Sequence, residues 1–203
     1  MRASNPFQRD SPVTDSPGAD SDSGSHGVEH SLPESQLRAV LDYARDRDYV
    51  GWALYDGESS RLLRALPVEH KWLNLVFQQT VRRAPVNIRP LLAVERRRNF
   101  MGAALFALAN FTAYDLTGER RFRADGVELA DWLLDQNREG YSGYCGGHNH
   151  PVQGLDHRTP VSVPGIVGTA QAVRALLAAD HYAEGPYRET ARTAAQFVIQ
   201  DLE

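Results

Sequence analysis

The segment GYSGYCGGHNHPVQGLDHR, residues 140–158, holds the only cysteine of the chain, three of its seven histidines and five glycines. Imidazole titrates near neutral pH, so His148 or His150 can take a proton from a substrate carbon and return it, or assist a leaving group. Tyr141 and Tyr144 offer rings for stacking, Gln153 and Arg158 offer hydrogen bonds, and Asp156 offers a carboxylate. Metal binding is the main rival. Cys145, His148, His150 and His157 read C-x2-H-x-H-x6-H, whose side-chain types suit zinc but whose spacing matches none of the common zinc patterns, so neither metal nor cofactor is expected. Cys145 as a nucleophile needs a neighbouring base to lower its pKa, and only the nearby histidines supply one. The plainest alternative is a connector folded against the ends of two helices.

A second candidate lies in GWALYDGESS, residues 51–60. Hydrolysis by paired acids takes two carboxylates about 5–10 Å apart, and Asp56 could be one, with Glu58, Glu95 or Asp156 as the other. An Asp-Gly pair is also an ordinary turn. Trp52, Trp72 and Trp132 read as core, with Trp52, in the same loop, also a candidate ligand platform. The arginines at 82, 83, 89 and 96 to 98 form the only basic cluster. They read as an ion-paired surface or as an anion clamp, since guanidinium grips carboxylate or phosphate in a two-point fork.

These residues must be positioned by a chain of 203 residues, long enough for one domain with a sizeable core. Residues 1–30 are rich in Ser, Asp, Gly and Pro, have little to bury, and read as a disordered tail; residues 31–203 form the domain. A net charge of −4 gives no electrostatic reason to seek nucleic acid. A single cysteine fits a reducing compartment, and with no signal sequence a cytoplasmic location is expected. The most apolar stretch, FMGAALFALANFTAY, is shorter than the ~20 residues that span a bilayer.

From Ser31 the pattern is helical, with Leu37, Val40, Leu41 and Ala44 on one face. Residues 49–60 read as a turn-rich loop, 67–83 as a helix through Trp72, Leu75, Val76 and Gln79, and 84–90 as an extended link. Helices are then expected over 99–117, 119–138, 165–183 and 186–203, packed as two antiparallel hairpins, with no β-structure between 99 and 203. Phe122 and Tyr187, Ala130 and Ala195, and Trp132 and Phe197 are each 65 residues apart, a weak internal repeat. The first helix of each hairpin is small and apolar on every side, so hairpins must stack. This predicts an all-α fold of α/α toroid type. About three hairpins make half of a six-hairpin ring. An incomplete toroid is therefore expected, with inner faces around Ala103, Phe106, Ala107 and Ala172 left partly open, inviting self-association or a missing C-terminal half.

Four segments, GWALYDGESS, APVNIRPLLAVERRRNFMGAALFALA, GYSGYCGGHNHPVQGLDHR and VPGIVGTAQAVRALL, resemble six-hairpin glycosidase-like (α/α toroid) proteins of bacterial and archaeal surface-polysaccharide and glycosylation loci. The likeness covers residues 49–203. Relatives tend to read Y-D-G-L-N-S where this chain has Glu58 and Ser59 at the Leu and Asn positions. Some carry tryptophans in the stretch holding Gly146 and Val152. The resemblance implies a carbohydrate-active protein of hydrolase, lyase or epimerase type acting on a glycan or sugar. Its alternative is a non-catalytic helical scaffold for glycan-assembly partners.

Overall fold

The computed structural model describes residues 31–53, 56–64, 70–161 and 163–202. The tail expected over residues 1–30 lies outside them. The described chain is mostly helical. Its elements are α1 (Ser31–Arg45), a 3-10 turn (Asp56–Ser59), the single turn α2 (Arg61–Arg64), α3 (Lys71–Arg83), α4 (Phe100–Thr117), α5 (Arg120–Asp135), β1 (Val152–Gln153), β2 (Arg158–Thr159), α6 (Ile166–Ala179) and α7 (Tyr187–Gln200).

Helix α4 is the hub, packed against α1, α5 and α6. Asn99 starts it by accepting a 2.9 Å hydrogen bond from the Gly102 N–H, and Gly118 ends it at φ 70°, a left-handed conformation that glycine adopts without a Cβ clash. Ala103, Ala104 and Ala107 are fully buried, as are Ala172, Ala175 and Ala179 of α6. These small side chains let the two helices approach closely. The start of α4 lies by the start of α6, where Phe100 faces Gly168, and its later turns lie by the far end, where the Phe111 ring stacks on Tyr182 at 4.5 Å. The two helices therefore run parallel. Helices α5 and α7 return antiparallel to them, each amphipathic, burying Phe122, Leu129 and Leu133 in one case and Tyr187, Ala191 and Phe197 in the other. At the repeat, Ala130 is buried while Ala195 is exposed, so the two hairpins match imperfectly.

Four expectations need correction. Residues 152–153 and 158–159 form a two-residue antiparallel ladder, so the loop is not free of β-structure, although no larger sheet occurs among the described residues. Of the inner face expected to be partly open, Ala103, Ala107 and Ala172 are closed off between α4 and its neighbours, whereas Phe106 is half-buried. Val40 of α1 is 57% exposed, while Leu37, Leu41 and Ala44 turn toward the core. Helix α3 packs with its polar side: Asn74, Gln78 and Val81 are buried against the 3-10 turn, and Trp72 and Val76 face outward. The turn itself is buried and polar, so it is matched by the polar side of α3. No helix among the described residues is long and apolar enough to cross a membrane.

Candidate functional site

Two long connections, 84–99 and 136–165, meet at the N-terminal ends of α4 and α6. They are locked to each other. The Arg97 guanidinium donates from Nη1 to the Asn149 carbonyl at 2.6 Å, and Asn149 Nδ2 donates to the Arg98 carbonyl at 2.7 Å. Gly51 and Arg97 exchange backbone hydrogen bonds, which draws residues 49–53 into the same cluster. Across the loop that precedes α6, Gly147 and Pro164 form an antiparallel bridge at which the Gly165 N–H donates to the Gly146 carbonyl at 3.1 Å.

The loop glycines are explained by packing. A Cβ on Gly143 would stand 1.9 Å from the Thr193 carbonyl oxygen, and one on Gly146 would enter the Phe100 ring at 2.1 Å. The loop thus lies flat on α7 and α4 where side chains cannot fit, and this contact aims His148 and His150 toward the segments at 49–53 and 97–102.

There, Tyr49, Trp52, Arg97, Phe106, His148 and His150 line a cleft of about 430 Å³. His148 and Met101 also line a second cleft of about 520 Å³ that continues toward Phe100 and the start of α6. The imidazoles of His148 and His150 lie 5.4 Å apart. His148 is exposed, whereas His150 is buried, with Nδ1 3.3 Å from Asn149 Oδ1. Burial, then the neighbouring His148 and Arg97, push the His150 pKa down to about 4, so it is neutral at physiological pH. One face of Trp52 is covered by the Arg96 guanidinium at 4.2 Å, and its Nε1 donates to the Val94 carbonyl. Tyr49 is held at φ 55°, a strained conformation for a bulky residue. Its hydroxyl donates to Asp125 Oδ2 at 2.6 Å and accepts from Asn110, leaving the ring edge-on to Phe106.

The remaining sequence candidates are placed elsewhere. Asp56 is 3% exposed and bound through Oδ1 to Arg89 Nε at 2.9 Å. It shares with His150 only a void of about 10 Å³ behind the cleft wall, no more than one water would fill. Burial raises its pKa, against the lowering effect of Arg89. Tyr144 is in the core and donates its hydroxyl to the Leu133 carbonyl at 2.8 Å, so its ring has no face to present to a sugar. Tyr141 lies edge-on to Phe197 and lines neither cleft. Gln153 is buried on β1, which lies against α3, and its amide donates to the adjacent Gly154 carbonyl. Asp156 is exposed at the tip of the β1–β2 turn. Arg158 pairs with the buried Glu58 at 2.9 Å and, with Arg97, lines a groove of about 280 Å³. Trp72, read as core, is 61% exposed.

His148, His150 and Trp52 are the candidates brought together. Tyr49, Arg97 and Phe106 join them. Arg97 belongs to the basic cluster read as a possible anion clamp and Phe106 to the inner face expected to be partly open; Tyr49 carried no signal. Cys145 is fully buried, and burial raises its pKa, which suits neither a nucleophile nor a ligand. Among the described residues, no three His, Cys, Asp or Glu side chains gather as a metal site. No protein-family model, curated protein or solved structure matches this chain.

Proposed function

We propose that the chain is a carbohydrate-active protein built on part of an α/α toroid, with its sugar site in the cleft at the N-terminal ends of α4 and α6. The observation that carries this reading is the convergence of Trp52 and Tyr49 with Arg97, His148 and His150 in that cleft. Aromatic surface beside a few convergent polar groups is what a sugar needs, since its C–H faces stack while its hydroxyls hydrogen-bond. Two parallel inner helices with antiparallel outer helices are the packing from which such a ring is built.

Among the described residues lining the two clefts there is no Asp or Glu. Paired-carboxylate hydrolysis is therefore poorly served. Proton removal by an imidazole, as in a lyase or epimerase, is the better-supported chemistry, with exposed His148 as the base and neutral His150 as a hydrogen-bonding neighbour. Glycan-array binding followed by turnover assays tests this. His148→Ala should keep the helix content and cut binding or turnover at least about tenfold. Full activity in His148→Ala would refute the assignment.

The second reading, a helical scaffold, draws on the apolar Trp72 and Val76 of α3 and Val167 and Leu177 of α6, all exposed. It predicts no sugar binding, together with self-association or partner capture in sedimentation experiments.

A further inference from the structure

We propose that the ligand of this cleft carries a negative charge, a carboxylate or phosphate on a sugar, and that Arg97 is the residue that reads it; this rests on the sugar-site reading above. The chain as a whole is acidic, with a net charge of −4. Two cavities at the α4 and α6 ends have the opposite balance. Among the described residues, Arg97 is the only formally charged one lining the 430 Å³ cleft, and Arg97 and Arg158 are the only ones lining the 280 Å³ groove. Arg97 is common to both.

The geometry leaves this guanidinium able to work. Its Nη1 is fixed on the Asn149 carbonyl and its Nη2 on Glu95 Oε2 at 3.1 Å. These use two of the five N–H groups that a guanidinium carries, and about a third of the side chain is exposed. Fixation costs entropy before a ligand arrives, and a pre-placed fork loses less on binding than a mobile one. Glu95 does not cancel the charge alone, since it is shared between Arg97 and Arg61. His148, His150 and Trp52 lie on the same cleft wall and would meet the uncharged part of the same ligand.

The test is titration of the full chain with glucose, glucuronate, glucose 1-phosphate and inorganic phosphate, followed by NMR line shifts. Either sugar anion should bind about tenfold or more tightly than glucose, because a charge-assisted fork is added to the same ring contacts. Arg97→Gln should bring the anion-to-glucose affinity ratio, read within the variant itself, down to about one, so that any general weakening of the site does not enter. Raising the salt should narrow the preference in the unsubstituted protein, a readout that does not depend on the variant folding. The better of the two sugar anions identifies the charged group.

Equal binding of glucose and both anions overturns this inference and leaves the sugar site standing. Inorganic phosphate binding as well as glucose 1-phosphate also overturns it, because the sugar then adds nothing. Absence of binding by all three sugars overturns the sugar site and this inference together.

Discussion

Replacing Arg89 by Met should destabilise the protein strongly at neutral pH and progressively less in acid. Asp56 and Arg89 have side chains only 4% and 15% exposed, and their Oδ1–Nε distance is 2.9 Å. Methionine keeps most of the arginine stem and removes the charge, leaving a carboxylate in a nearly dry place. Breaking one partner out of a buried pair costs about 3–5 kcal/mol. A second route gives the same size. The variant escapes a buried charge by keeping Asp56 protonated, and holding a carboxyl of normal pKa about 3.9 neutral at pH 7 costs about 4 kcal/mol. The pH dependence follows. Above pH 3.9 the unfolded variant has lost the Asp56 proton that the folded variant retains. The deficit therefore shrinks by about 1.4 kcal/mol for each pH unit lowered from 7 toward 4. Urea unfolding of both proteins at a series of pH values measures it. A double variant, Asp56→Asn with Arg89→Met, should recover much of the loss at pH 7 and show no such slope. A deficit under about 1 kcal/mol that is flat with pH would refute the reasoning, because Asp56 would then be solvated and free to act in the cleft.

Other consequences are open to direct measurement. The unsubstituted protein should lose about 1–3 kcal/mol between pH 6.5 and about 4, the low end allowing for solvent screening. His150 is held neutral by burial and binds fewer protons folded than unfolded over that interval; His150→Asn should flatten the acid limb of the stability profile. Tyr144→Phe should cost about 1 kcal/mol through the lost bond to the Leu133 carbonyl, with sugar binding unchanged; a loss of binding at constant stability would return Tyr144 to the site. Gly143→Ala, whose Cβ would meet the Thr193 carbonyl oxygen at 1.9 Å, should lower stability by about 1–3 kcal/mol or more, read as a lower melting temperature.

The helices were legible because their signals are local. The small-residue run of α4, the amphipathic faces of α5 and α7 and the glycine at 118 each fix an element within a few residues of where it stands. Helix α3 shows where that logic stops. Its apolar residues Trp72 and Val76 predicted a buried face, but the surface it meets is the polar 3-10 turn at 56–59, so Asn74 and Gln78 go inward. Which face of an amphipathic helix is buried depends on the partner, and the partner is set by tertiary packing. Ala103 and Ala172 were misjudged for the same reason. They line the seam between two parallel helices, and sequence spacing does not say whether a small-residue face meets a neighbour or an open axis.

The candidate site follows the same division. The types of residue in the 140–158 loop marked it as capable of chemistry, and position then sorted them. Tyr144 went to the core, Tyr141 to α7 and Gln153 to the hairpin under α3, while His148 and His150 reached the cleft. The selection is made by glycine. At 143 and 146 the backbone lies against Thr193 and Phe100 with no room for a side chain, and this pins the loop so that the residues just after it are delivered to Arg97 and Trp52. Glycine here permits close packing of the loop rather than loosening it. A rigid rim fits a ligand site better than a connector does, because a connector gains nothing from having two imidazoles held 5.4 Å apart beside an arginine whose fork is fixed by the same loop.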